Sequence, residues 1–412
     1  MLSTAPLFEV LNNRFNSKMI SVTEAKKIIL SHTTVLPPVR FTLSQAAGMV
    51  LAEDVYASID IPGYAQSSMD GYAFSFHQWK TNRSLKIKGE MAAGSSETFV
   101  LLPGNAVRIF TGAAVPAGAD TVVMQEKTKV ENSSLYIDDE HIVEGLNIRT
   151  KGSEIKAGEL AVAKDTLLTP AAIGFLAGIG VTGVLVYPCP SVSIIVTGNE
   201  LQTPGKPLLN GQVYESNSFS LQAALKQMHI QEVKVYKAED KLEIVKQVLE
   251  EALQQNDIVF LTGGVSVGDY DFVAAAAEQN GIEKVFHKIK QKPGKPFYFG
   301  KKGNKLVFGL PGNPASVLTC FYEYVEPALK KISNQKTGLQ VMQVPLAIPF
   351  KKAAGLTHFL KGLYDGKAVT PLSAQESYRL SSFANANCLI KINEETTMCE
   401  KGELVEIHLL PQ

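Results

Sequence analysis

From Pro188 onward the apolar period switches repeatedly between two residues and 3.6. No other feature limits the fold as much. Residues 193–197 read as a short apolar strand ending at Gly198. Leu221, Ala224, Leu225 and Met228 form a helical stripe, and residues 233–236 form a strand. Asp240 and Glu243 stand where they would cap a helix with its stripe at Val245, Val248, Leu249, Ala252 and Leu253. Residues 258–261 read as a buried strand, 272–279 as a helix and 305–308 as a strand. Asn313 is placed as an N-cap with Pro314 at the first helical position, which opens a helix to about residue 330. Strand alternating with helix predicts a parallel-rich sheet with helices on both faces. Ligands of such sheets sit at the carboxyl ends of the strands, so the loops 197–200, 262–271 and 310–313 should converge.

The rest of the 412 residues is of another kind. Ser21 and Glu24 have capping-box spacing ahead of a stripe at Val22, Ala25, Ile28 and Ile29. Leu43, Ala46, Ala47, Val50 and Leu51 predict a second helix. Residues 60–144 hold short alternating runs broken by Gly and Pro, which predict a β-rich domain. Residues 145–187 are Gly-rich and return to the first layer. Beyond 341 the pattern is strand-like, with Pro345, Pro349, Asp365-Gly366 and Pro371 as turns.

Lys plus Arg and Asp plus Glu both number 40, so no global field draws the chain to nucleic acid or a membrane surface. The four Cys form no CxxC, and no His pair has metal-ligand spacing, which argues against a zinc site and a disulfide framework. The first ten residues lack the pattern of a signal peptide. The longest nearly apolar run, 171–186, is interrupted by glycines and too short for a bilayer. The expectation is a soluble cytoplasmic protein.

Anion binding must then be local. Residues 284–302 contain seven Lys and no acidic residue. Lys288, Lys290 and Lys292 alternate as on one side of a strand, and Pro293-Gly294 brings Lys295 close. Such a patch suits a phosphate-bearing ligand better than a merely solvated face. Asp240, Asp257, Asp269 and Asp271 partly offset it within the same domain. Gly263, Gly264 and Gly268 with Ser266 let backbone N–H groups approach a ligand, although a tight turn capped by Asp271 would use the same residues. Asp269-Tyr270 replaces the Lys-Ser/Thr of a P-loop. Gly178-Ile-Gly180-Val-Thr-Gly183 precedes a strand instead of following one, which excludes the dinucleotide fingerprint.

The stretches SSMDGYA (67–73), RIFTGAAVPAGADTVVMQE (108–126), IVTGNEL (195–201), TGGVSVGDYD (262–271), KPGKP (292–296) and GLPGNPAS (309–316) carry a resemblance. In this combination and order the chain resembles the molybdopterin molybdenumtransferase family, the MoeA-type enzymes that include the E domain of gephyrin. The resemblance implies a multi-domain α/β architecture. A split helical layer (1–59 and 145–187) carries an inserted β-rich domain (60–144). The α/β molybdopterin-binding domain spans 188–335, and a C-terminal β-barrel-like domain spans 341–412. It implies a homodimer whose cleft is shared between subunits.

The implied reaction inserts molybdate into adenylylated molybdopterin, with Mg²⁺ present and AMP released. The alternatives are a molybdopterin adenylyltransferase, whose family resembles a single domain, and a non-catalytic molybdopterin-binding or scaffold protein. The enzyme of the preceding adenylylation step is a candidate partner.

The positions carried over as catalytic are Asp70, Thr111, Glu154, Glu200, Asp240, Asp271, Lys288 and Lys292. Glu200, Asp240 and Asp271 are the candidate metal ligands, since Mg²⁺ prefers carboxylate oxygen. Substrate contacts are expected at Thr197, Gly198, Gly263, Gly264, Ser266, Gly268, Lys295, Pro311, Gly312, Asn313, Pro314, Ser316 and Ser382. Asn199 and Glu154 depart from the Asp common in the family, and residues 357–361 show Lys361 where Arg is frequent.

Overall fold

The computed structural model describes residues 19–95, 99–263 and 272–411. Its contacts divide the chain into two compact units, one of residues 40–47 and 51–186, the other of the remaining residues.

The larger unit holds the alternating segment. Its six-stranded sheet has the order Val233–Ala238, Val192–Thr197, Ile258–Thr262, Lys305–Leu310, Pro296–Lys302, Glu283–Lys288. The first four strands are parallel, and Pro296–Lys302 pairs antiparallel with both of its neighbours. The parallel strands Val192–Thr197 and Ile258–Thr262 are buried along their whole length, as strands covered on both faces must be. One cover is the helix Leu242–Gln255, whose Val245, Leu249, Ala252 and Leu253 pack with Val259 and Leu261. The other face packs under Leu221 and Leu225 of the helix Asn217–Gln227 and under Val317 and Phe321.

Several expectations change in detail. The helix after Lys305–Leu310 starts at Pro314 as predicted and runs to Ile332, but passes through a π-helical turn at Phe321–Val325. Asp240 does not cap the helix that follows it. Lys241 holds the N-cap position, and the Asp240 carboxylate accepts instead from the Asn199 N–H at 3.3 Å. The helix Val22–Ser31 begins as read, with Ser21 Oγ accepting from Glu24 N at 3.1 Å.

The same unit contains the C-terminal sheet. Its order is Gln291–Lys292, Thr357–Tyr364, Cys388–Ile392, Leu404–Leu409, Val341–Pro345, with Val369–Pro371 on the outer part of Thr357–Tyr364. Just past Val341–Pro345, Leu346 bridges Val369 and the Ala347 N–H donates to the Val369 carbonyl at 2.8 Å, which brings that end of the sheet back to Val369–Pro371. The β character is as expected. One edge strand, Gln291–Lys292, comes from the lysine-rich stretch.

The smaller unit contains a sheet of order Thr121–Met124, Gly71–Phe74, Asn105–Ile109, Ser84–Met91, Ser134–Ile137, Thr128–Glu131. A short helix unforeseen in the β-rich pattern, Phe76–Asn82, seals it with Trp79 against Phe74. The predicted second helix is cut short at Leu43–Ala46, and Val50–Leu51 is a strand. Gly48 at φ +80° turns the chain there, which a continuing helix cannot do. Among the described residues no helix is long and apolar enough to cross a membrane.

Candidate functional site

A cavity of about 920 Å³ opens at the carboxyl ends of the parallel strands. Its wall includes Glu200, Lys292, Lys295, Pro311, Gly312, Asn313, Pro314 and Ser316, all candidates from the sequence. The three strand-end loops do converge, as far as they are described. A Cβ on Gly263 would lie 2.1 Å from the Thr197 carbonyl, and Gly263 has φ +85°. Only glycine allows that approach. A Cβ on Gly312 would in turn lie 3.9 Å from the Gly263 Cα. Thr197 and Gly198 end the neighbouring strand. Gly264, Ser266, Gly268 and Asp271 lie outside the described residues.

The lysines separate in space. Lys288 ends the strand Glu283–Lys288, half-buried and away from the pocket wall. At Ile289 the chain leaves that sheet and joins the C-terminal one, where Lys292 registers with His358. Lys290 is bound to Glu394 at 2.6 Å, which raises its ammonium above the ordinary lysine range. Lys292 and Lys295 are exposed in the pocket wall, and among the described residues neither has an acidic partner at ion-pair distance. The turn that carries them rests on Gln291. Its Nε2 donates to the carbonyls of Pro293 and Gly294 at 3.0 and 3.3 Å, and its Oε1 accepts from the Tyr324 hydroxyl.

His358, in register with Lys292, is pushed down to about 4 by burial and by the charges of Lys352 and Lys292. It therefore stays neutral at pH 7. An imidazole titration by NMR is expected to show a midpoint near 4, moving up in Lys292→Ala. A His358 ring still charged at pH 6 would contradict this.

The C-terminal domain supplies wall residues that sequence reasoning missed: Leu356, Gln375, Ser377 and Tyr378. Asn313 does not cap its helix with its side chain; its Nδ2 donates to Ser377 Oγ at 2.9 Å. Ser382 is buried and donates to the Ala374 carbonyl at 2.7 Å, so it supports this wall from behind. Lys361 is 3% exposed and also faces inward. Tyr214, Glu215 and Asn217 complete the opposite wall. Glu215 is occupied in capping, accepting from Ser218 N and Oγ at 2.7 and 2.6 Å. Leu356, Gln375, Ser377, Tyr378, Tyr214, Glu215 and Asn217 stand in none of the motifs, so no sequence signal marked them.

Asp240 sits beyond the strand Val233–Ala238. Among the described residues its buried Oδ1 has no hydrogen-bond partner, nor have Thr197 Oγ1 and Thr262 Oγ1. Among the described residues no group of three His, Cys, Asp or Glu is arranged to hold a metal. No disulfide joins the cysteines, and Cys320, Cys388 and Cys399 are buried.

The smaller unit brings together Asp70 and Thr111. Asp70 Oδ1 accepts from both the Thr111 N–H and its hydroxyl, each at 2.8 Å. These bonds hold the carboxyl below the usual carboxylate range, so it is an anion that fixes the loop. Arg108 braces the same loop, donating to the Gly71 carbonyl at 2.9 Å. Glu154 is exposed on a separate turn of this unit, its N–H donating to the Ile61 carbonyl.

A doubly covered sheet with glycine turns and a cavity at its strand ends, lined by two lysines, defines an α/β protein with a cationic cleft. Comparison with known proteins narrows this class. Residues 20–180 match the model of the MoeA N-terminal region (domain I and II). Residues 193–331 match that of a probable molybdopterin binding domain, and residues 343–410 that of the MoeA C-terminal region (domain IV). The molybdopterin molybdenumtransferase of Haemophilus influenzae is 35% identical over 379 residues, covering 89% of this chain and 94% of its own. That of Staphylococcus epidermidis is 33% identical over 401 residues and 95% of each chain. A crystal structure of the molybdopterin biosynthesis MoeA protein from Pyrococcus horikosii superimposes with a TM-score of 0.78 at 30% identity, covering 95% of this chain and 99% of that one. The chain belongs to the MoeA family of molybdopterin molybdenumtransferases.

Proposed function

We propose that this chain is a molybdopterin molybdenumtransferase acting in molybdenum cofactor biosynthesis, and that it inserts molybdate into adenylylated molybdopterin and releases AMP. The observation that carries this reading is the pocket that holds Lys292 and Lys295, neither with an acidic partner among the described residues, beside the turn Pro311-Gly312-Asn313. Molybdate, phosphate and pyrophosphate repel one another when brought together, and free ammonium groups in a cleft offset that repulsion. Ser316 and the backbone at the helix start add neutral donors. Catalysis by these residues is positioning and electrostatic stabilisation, with no Cys or His nucleophile.

Mg²⁺ is the divalent cation of this proposal. The orphaned Oδ1 of Asp240 and the exposed Glu200 carboxylate fit a hard, oxygen-preferring ion, with Asp271 as a third donor. Bound there, the ion would supply Lewis-acid polarisation of phosphate oxygens.

The four-part division at 1–59 with 145–187, 60–144, 188–335 and 341–412 belongs to the same proposal. So do a cytoplasmic location and a homodimer whose shared cleft adds Asp70, Thr111 and Glu154. A pterin is the small-molecule substrate, and the preceding adenylyltransferase is a candidate partner.

The test is AMP release by the purified chain from adenylylated molybdopterin. Release is expected only when molybdate and Mg²⁺ are both present. Release indifferent to molybdate, or none, ends the proposal. Given ATP and molybdopterin instead, the chain is expected to form no adenylylated product; formation would favour the adenylyltransferase alternative.

A further inference from the structure

Lys361 lies in the strand Thr357–Tyr364, almost wholly buried. Its Nζ donates to three carbonyls, those of Ala374 at 2.7 Å, Arg379 at 3.0 Å and Glu376 at 3.3 Å. An ammonium has three donors and no acceptor, so its hydrogen-bonding capacity is filled. Among the described residues no carboxylate lies within ion-pair distance of it. The charge is solvated by backbone alone, and all three carbonyls belong to one loop.

The loop is gripped elsewhere in the same sense. Gln375 Oε1 accepts from Lys361 N at 3.0 Å, and its Nε2 donates to Lys361 O at 2.8 Å. Ser382 Oγ donates to the Ala374 carbonyl. Ala374 has φ +61°, unusual for a residue with a Cβ, so the loop is held in a conformation its own backbone disfavours. The held segment presents Gln375, Ser377 and Tyr378 to the pocket. Ser377 O accepts from Ala315 N at 3.0 Å, tying the loop to the helix start.

We propose that Lys361 is a positioning residue. Its buried ammonium moulds the loop 374–379 into the pocket wall and does not itself meet substrate. A long side chain capped by three carbonyls behind the wall leaves no donor for an oxyanion in front of it. This rests on the assignment of the pocket as the molybdate and pterin site.

The experiment compares wild type, Lys361→Met, Lys361→Arg and Ser382→Ala by hydrogen-exchange mass spectrometry and by molybdate-dependent AMP release. In Lys361→Met, exchange is expected to accelerate about tenfold or more in residues 372–382 and at Ala315, with the core strands unchanged. The KM for molybdate is expected to rise about tenfold, with kcat falling much less. Lys361→Arg, which keeps charge and donors, should recover part of both effects. Ser382→Ala should move both the same way by a smaller factor, and it serves if Lys361→Met does not fold. A raised KM without faster loop exchange would show the ammonium acting directly on substrate and overturn the proposal. Faster exchange with unchanged KM would overturn it too, by removing the loop from the site. Wild type without molybdate-dependent turnover would instead sink the functional assignment, while the exchange result still reports on the loop.

Discussion

Lys292→Ala is expected to lower kcat/KM of the molybdate-dependent reaction by about 100–1000-fold, the loss typical of removing one charge-stabilising donor from a pocket. Lys290→Ala, two residues away, is expected to leave it within about threefold, since Lys290 is directed to Glu394 and not to the cavity. The contrast separates a specific ammonium from a general positive field, because both substitutions remove one charge from the same stretch. Lys292→Arg should restore part of the loss, since a planar guanidinium keeps charge but not the compact geometry. Equal effects of the two alanine variants would mean that bulk charge, not the pocket, binds the oxyanion.

Glu323→Gln is expected to destabilise the larger unit by about 3 kcal/mol, because it takes the carboxylate away from the buried His408 and the part-buried Lys26. Glu323 is almost fully buried in the π-helical turn. It accepts from Lys26 Nζ at 2.5 Å and lies 2.6 Å from His408 Nδ1. The other ring nitrogen of His408 lies 2.8 Å from Glu406, which pairs with Lys391 at 2.9 Å. One carboxylate thus ties the helix Val22–Ser31 and the strand Leu404–Leu409 to the helix behind the pocket.

Burial pushes the Glu323 carboxyl up, but the bond to His408 and the charge of Lys26 outweigh it and hold it below its ordinary 4.5. A carboxyl lowered on folding contributes stability that is complete above its unfolded value and is lost as pH falls through the folded one. Wild type should therefore lose its advantage over Glu323→Gln on acidification below about 4.5. Thermal unfolding of both proteins between pH 7 and 3 checks this. A pH-independent difference would place the effect in packing alone.

Much of the site was legible because it is local. The turns at 262–263 and 310–314 follow strands whose apolar runs are unmistakable, and strand ends of a parallel sheet are where loops gather. Asp70 and Thr111 were found through motif resemblance, and their shared hydrogen bonds give the reason for the pairing. Other residues were illegible because their roles depend on direction. Alternation put Lys288, Lys290 and Lys292 on one strand face, but the chain changes sheets between the first and the last. Asp240 had the spacing of a cap, and its carboxylate turned to Asn199. Leu43 to Leu51 kept helical spacing across Gly48, where positive φ ended the helix.

By itself the sequence determined the alternation of strand and helix, the glycine turns at the strand ends and the presence of a cationic stretch. These follow from periodicity and backbone freedom, which are properties of neighbouring residues. Only the tertiary structure decided which lysines face the cavity and that Lys361 and Ser382 stand behind its wall. Only there do Gln375, Ser377 and Tyr378 meet residues 292–316. A side chain's partner is set by which distant segment packs against it, and a buried charge must turn to whatever carbonyl or carboxylate that packing supplies.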